Sequence, residues 1–294
     1  MDFKVNNYSA MPSAAKGMLT SGYIRLRKRR ERRAAQLQAL PEQGRRPRIV
    51  YLTGFPRSGT TMLKYYYGSH PGLRQTPFNP AGFHRTWAMA AADDHDEILV
   101  DKSNHYLYAF DRLFAAYGDA VRLCVIVRDP RDCIASFIHY HENREVQRTP
   151  AFWPYWAEQH ANLARFARTS RYSHCVHIVR YEDLVRSPEQ AKASYLQWLG
   201  FDIEAGDLDR HYEVQNPGES WHDSVFERRE VGGHALQKWR SLESPPAWAA
   251  SLLPAWQDDP GATAMMQLFG YDNGGVTATQ LRGASNVFHP TGKP

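Results

Sequence analysis

The sequence predicts a three-layer α/β fold, a central parallel β-sheet flanked by helices. Short apolar runs recur along the chain, segments of helical length separate them, and glycine, proline or capping residues stand at the joins. With 294 residues, 43% hydrophobic and 13% aromatic, the chain has enough apolar surface for one large core.

The elements follow in order. RIVYLTGF (48–55) is an apolar run entering a glycine turn, and TTMLKYYYGSH beyond it has helical length and ends near Gly68 and Pro71. EILVDKS (97–103) is the second strand and AVRLCVIVRD (120–129) the third, after which Pro130 opens a helix, RDCIASFIHYH. AFWPYWAEQHANLARFARTS is an aromatic-rich helix that suits core packing or the lining of a pocket. CVHIVRYEDL (175–184) is the fourth strand. SPEQAKASYLQWLG follows as a helix, with Ser187 as its N-cap, Glu189 in its first turn and Gly200 at its C-cap.

This organisation places one domain at 48–272, after a basic extension at 1–47 and before a tail at 273–294. The stretch from Tyr271 onward is rich in Gly, Thr and Pro and reads as mobile or draped on the surface. The net charge of +5 resides in the leader: residues 1–48 hold twelve Lys or Arg against three acids, whereas the rest is net acidic. RLRKRRERRAAQLQAL suits a basic helix that meets nucleic acid or an anionic surface. It lacks interleaved aromatic residues, which favours a solvated helix over nucleic-acid binding. Cys124, Cys133 and Cys175 form no C-x-x-C pair, so buried free thiols in a reducing compartment are expected. There is no apolar run of about 18 residues and no signal-like apolar core near the N-terminus, and the expected location is the cytoplasm.

GFPRSGTT (54–61) has the spacing of a G-x-x-x-x-G-K-[ST] phosphate loop, but Thr60 stands where the lysine belongs. A glycine turn between strand and helix aims backbone N–H groups and the positive end of the helix dipole at one spot, which suits an anion. Gly54 and Gly59 permit the curvature, and Ser58, Thr60 and Thr61 add hydroxyl donors. The third strand ends in VIVRDPRD, with cations beside its acids, rather than in an apolar run that closes on a lone metal-binding Asp. A donor with few phosphates and no required metal fits this better than ATP with magnesium. A phosphate-loop kinase or NTPase acting on a small molecule is the competing enzyme reading, and a nucleic-acid-binding module led by the basic segment is the competing non-enzymatic one.

The loop resembles that of the sulfotransferases that use 3′-phosphoadenosine 5′-phosphosulfate (PAPS), a family built on a P-loop NTPase-like fold. Pro56, Arg57, Ser58, Gly59, Thr60 and Thr61 match its P-[KR]-S-G-T-T signature, which binds the 5′-phosphosulfate. RDPRDCIAS is similar to the family's 3′-phosphate motif, with Arg128 and Ser136 eight residues apart. A guanidinium fork and a helical hydroxyl form a sensible cradle for a phosphate dianion. VRYEDLVRSPEQ resembles the segment whose tyrosine, here Tyr181, lies near the adenine. HALQKWRSL is similar to a stretch in which Lys238, Trp239 and Arg240 would close over the nucleotide.

The resemblance implies in-line transfer of a sulfuryl group from PAPS to a hydroxyl or amine, with 3′-phosphoadenosine 5′-phosphate (PAP) as product and no metal. Arg57 would neutralise the departing phosphate, aided by Lys102, which resembles the lysine of a K-[ST]-P motif; pairing of Lys102 with Asp101 is its structural alternative. For the base, His105 and His84 are equal candidates, followed by Asp93, Asp94 and Glu142. The acceptor is expected to be a small molecule, carbohydrate or lipid. Tyr65, Tyr66 and Tyr67, with the region Trp153 to Trp156, either line its pocket or belong to the core.

Overall fold

The first strand, β1 (Ile49–Gly54), is buried at all six positions, the pattern of a strand covered on both faces. The computed structural model describes residues 47–76, 97–104, 109–138, 151–209 and 236–271, together with Thr86, Met89, Ala90, Leu107 and Val231. Within them β1 is joined by β2 (Leu73–Gln75), β3 (Ile98–Lys102), β4 (Val121–Val127) and β5 (Val176–Arg180) in one sheet of order β2-β3-β1-β4-β5. Every pairing is parallel, with Ile49 opposite both Leu99 and Val121. The expected three-layer α/β fold is therefore present.

Alternation along β1 divides the interior in two. Ile49 and Tyr51 face a core completed by α2 (Phe110–Tyr117), α3 (Pro130–Ile138), α4 (Phe152–Thr169), α7 (Ala247–Leu252) and α8 (Pro260–Leu268). Val50 and Leu52 face the other core, built with α1 (Thr60–Tyr67), α5 (Tyr181–Arg186) and α6 (Pro188–Trp198). A two-residue period on the strands thus sorts the helices into two layers.

Several local expectations are corrected. β2 escapes sequence reading because three residues are too short for a periodic signal, so the strand around Lys102 is the third among the described residues. The fourth predicted strand ends at Arg180, and Tyr181–Arg186 is helical, with Glu182 and Asp183 in its first turn. Ser187 sits at the N-cap position of α6 but makes no side-chain capping bond, and Leu199 is the C-cap, with left-handed Gly200 just beyond. Tyr271 belongs to the core rather than to a surface tail: it is buried, and its hydroxyl donates to Glu182 at 2.9 Å. The predicted leader and the stretch beyond Tyr271 lie outside the described residues.

The aromatic helix is core. Trp153, Trp156, His160 and Leu163 form its buried stripe, and the Trp153 indole donates to the Leu252 carbonyl at 2.8 Å. Tyr65, Tyr66 and Tyr67 are buried too, Tyr67 stacking on Tyr195 at 4.1 Å.

His160 adds a pH dependence. Its Nδ1–H donates to the Trp156 carbonyl at 2.7 Å, and burial lowers its pKa from 6.5 to about 4. The unfolded chain takes up this proton more readily than the folded one. Its stabilising contribution is complete above pH 6.5 and is lost as pH falls towards 4, where the shift corresponds to about 3 kcal/mol. Urea unfolding between pH 7 and pH 4 should show this slope in the native sequence and its loss in His160→Phe.

Candidate active site

Because the strands are parallel, the residues singled out in the sequence fall along one edge of the sheet: the loop after β1, Lys102 closing β3, Arg128 beyond β4 and Tyr181 beyond β5. The carboxyl edge is where open α/β sheets form their ligand crevices.

The loop is sharply turned. The Ser58 N–H donates to the Phe55 carbonyl at 3.0 Å, and both Arg57 (φ 70°) and Gly59 (φ 99°) adopt left-handed backbone. A side-chain-bearing residue costs on the order of 1–3 kcal/mol there, so neighbouring contacts must hold Arg57 in place. Its carbonyl accepts from Arg128 Nη1 at 2.9 Å and its Nε donates to Ser136 Oγ at 3.0 Å. The loop and the Arg128–Ser136 pair, separate in sequence, thus meet at one residue.

The glycines are sterically required. A Cβ on Gly54 would lie 2.5 Å from the Ile126 carbonyl oxygen of β4, and one on Gly59 would lie 2.7 Å from the Tyr181 ring. Tyr181 therefore covers the loop, and the Arg128 guanidinium sits 4.2 Å from the centre of the same ring.

Helix α1 starts directly from Gly59 with no side-chain cap and no acid in its first turn. Its first N–H groups are the unsatisfied donors of a helix start, and the buried Ser58 hydroxyl beside them has no hydrogen-bond partner. The Thr60 hydroxyl is engaged, donating to Asn104 Oδ1 at 3.1 Å. These features suit a phosphate-type anion at the loop.

Arg128 is buried, with its Nη2 3.8 Å from Asp132 Oδ2. Asp132 also accepts the backbone N–H groups of Gln237 at 2.9 Å and Trp239 at 3.2 Å, which docks the segment carrying Lys238, Trp239 and Arg240 onto α3. Those three side chains then part. Lys238 lines an open cavity of about 370 Å³ with Ala135 and Ile138, while the Trp239 ring lies on Arg131 at 4.3 Å. Arg240 also lies over this indole, 5.1 Å from its centre.

Lys102 is half-buried at the end of β3. The carboxylate of Asp101 accepts the hydroxyls of Thr76 at 2.9 Å and Thr86 at 2.7 Å and the backbone N–H of Lys102. His84, His105, Asp93, Asp94 and Glu142 lie outside the described residues. Asn104, and the part Asp132 plays in docking the 236–241 segment, were missed by the sequence reading; the signal was proximity, Asn104 two residues after Lys102 and Asp132 within RDPRD.

Residues 78–205 match the model of a sulfotransferase family. The sulfotransferase domain from the curacin biosynthetic pathway is a structural neighbour with TM-score 0.55 and 19% identity, covering 78% of this chain and 99% of its own. The sulfotransferase domain of the Synechococcus PCC 7002 olefin synthase gives TM-score 0.52 and 19% identity, covering 74% and 97%. No curated protein matches the sequence.

Over 78–205 the chain is similar to a sulfotransferase family, and it shares the fold of these two domains.

The family match includes Lys102, Arg128, Ser136 and Tyr181 but neither the loop at 54–61 nor the segment at 238–240. The cationic edge is backed by buried acids. Asp129 pairs with Arg131 at 2.8 Å, and Glu182 accepts the Asp129 N–H at 3.0 Å. Burial raises the pKa of Glu182 and of Asp132, with Arg128 opposing the shift at Asp132. Among the described residues, no helix is long and apolar enough to cross a membrane.

Asp132→Ala should release the 236–241 segment and cost about 3 kcal/mol, the scale for leaving one partner of a buried pair uncompensated. Urea unfolding measures the loss, and amide exchange at Gln237 and Trp239 should accelerate. Unchanged exchange would mean that Asp132 does not hold the segment.

Proposed function

We propose that the chain is a sulfotransferase that moves a sulfuryl group from PAPS to a hydroxyl or amine of a small-molecule, carbohydrate or lipid acceptor, leaving PAP. The observation that carries the reading is the loop itself: uncapped helix donors and the partnerless Ser58 hydroxyl beside an arginine held by Arg128 and Ser136. PAPS supplies an activated sulfuryl group on a phosphate that departs as charge develops on it.

Pro56, Arg57, Ser58, Gly59, Thr60 and Thr61 would hold the 5′ end of the donor. Arg128 and Ser136 would receive the 3′-phosphate, and Tyr181 would meet the adenine. The cavity beside Lys238 lies next to α3 and gives the nucleotide or acceptor room of ligand size. Arg57 and Lys102 would stabilise the developing charge, a role in which positioning and preorganised electrostatics supply the rate. His105 or His84 would take the acceptor proton. No metal is assigned a part.

PAP should raise the melting temperature without magnesium. No shift with PAP, together with a magnesium-dependent shift with ATP, would replace this reading by the kinase one. Arg57→Ala should lower kcat with labelled PAPS by about 10²–10³-fold, the usual cost of removing one transition-state donor; near-normal turnover rejects that role.

Arg128 needs a sharper test, because its guanidinium also supports the Arg57 carbonyl. Arg128→Lys should reduce the preference for PAP over adenosine 5′-phosphate, since an ammonium cannot reproduce the guanidinium fork. A weakened affinity with an unchanged preference would confine Arg128 to holding the loop.

A further inference from the structure

The opposite edge of the sheet carries a second cluster. Asp119 lies in the 3-10 turn Gly118–Ala120 that enters β4, and His174 and Cys175 lie in the 3-10 turn Ser173–Cys175 that enters β5. Pairing of β4 with β5 brings the two turns together. His174 Nε2 is 3.5 Å from Asp119 Oδ1 and 3.2 Å from Cys175 Sγ, and Sγ is 3.5 Å from the same Oδ1. The seven residues of β4 separate this cluster from Arg128 by roughly 20 Å.

A cysteine–histidine–acid relay is excluded by the atoms involved. Such a relay needs the acid on one ring nitrogen and the nucleophile on the other, whereas here both approach Nε2. Three single atoms, one oxygen, one nitrogen and one sulfur, converge instead on a common point. In tetrahedral zinc coordination, bonds of about 2.0–2.3 Å set the ligand atoms roughly 3.3–3.6 Å apart, and a triangle of the observed size has its centre about 2 Å from each corner.

We propose that Asp119, His174 and Cys175 form a binding site for a divalent transition metal of the zinc type. Asp119 and His174 are half-exposed while Cys175 is buried, so the fourth position opens to solvent and takes a water. On binding, the Cys175 thiol releases its proton to solvent and the thiolate, one carboxylate oxygen and neutral Nε2 bond the ion. A sulfur and an imidazole nitrogen select against magnesium and calcium.

The surroundings are arranged for such a centre. Arg122 Nη1 donates to Cys175 Sγ at 3.2 Å and to the Asp119 carbonyl at 2.8 Å, an outer hydrogen bond that a thiolate ligand retains. The Trp198 indole donates to the His174 carbonyl at 2.9 Å and fixes the turn. The bound ion would staple the entries of β4 and β5.

The test uses tag-free full chain stripped with a chelator and titrated with Co²⁺. One equivalent should produce d–d absorption with a thiolate-to-cobalt charge-transfer band, and one equivalent of Zn²⁺ should bleach both. His174→Ala should abolish the band and weaken zinc binding by more than about a hundredfold, beyond the usual loss from outer-shell changes. Zn²⁺ should raise the melting temperature of the native sequence but not of His174→Ala. Cys175→Ala should behave alike, and if that buried change impairs folding, the exposed His174 variant decides the matter alone. Absence of the charge-transfer band from the native chain, or its persistence in His174→Ala, overturns the site.

Discussion

Arg57 in left-handed backbone is the constraint on which the candidate site depends. The conformation turns the loop tightly enough to leave the first N–H groups of α1 uncovered, yet it is unfavourable for any residue with a side chain. Arg128 from the end of β4 and Ser136 from α3 hold it, one through the backbone carbonyl and the other through Nε. The strain is thus balanced by contacts that also fix where Arg128 and Ser136 stand. Tyr181 completes the arrangement by lying against both Gly59 and Arg128.

Holding several guanidinium groups out of water requires counter-charges, and the chain supplies them within a few residues. Arg128 has Asp132, Arg131 has Asp129, and Glu182 accepts both the Asp129 N–H and the Tyr271 hydroxyl. Buried pairs of this kind add little net stability, because desolvation cancels most of their attraction, but removing one partner is costly. Their effect is to permit one geometry. Arg131 extends it by donating to the Tyr271 carbonyl, tying the segment that follows α8 to the head of α3.

Much of this architecture was legible because it obeys short periods. The buried runs of β1, β3 and β4 and the three- and four-residue stripe of α4 are visible as patterns, and Pro130 marks the start of α3. What escaped were elements too short to show a period, such as β2, and a strand–helix change within VRYEDL that leaves hydrophobicity unaltered. At the site, spacing marked Arg57, Arg128 and Ser136 singly. Spacing carries no information on which atoms touch, so the contact of Arg57 with the other two was illegible. The docking role of Asp132 was hidden for the same reason: the backbone N–H groups it accepts are more than 100 positions away.

The contacts also give the missing loop lysine a physical sense. At position 60 the Thr hydroxyl reaches Asn104 and fastens the start of α1 to the end of β3, a tie that a lysine would give up. The cation stands instead three residues earlier, where its Nε bond to Ser136 fixes the plane of the guanidinium. A lysine ammonium is a point charge on a flexible stem and takes its direction from whatever it meets, whereas a guanidinium pinned at Nε has its fork aimed in advance. The hydroxyl that aims it belongs to α3, the helix that carries Asp132 and docks the 236–241 segment. Orientation of the loop cation and placement of that segment therefore depend on one helix, and neither can shift without the other.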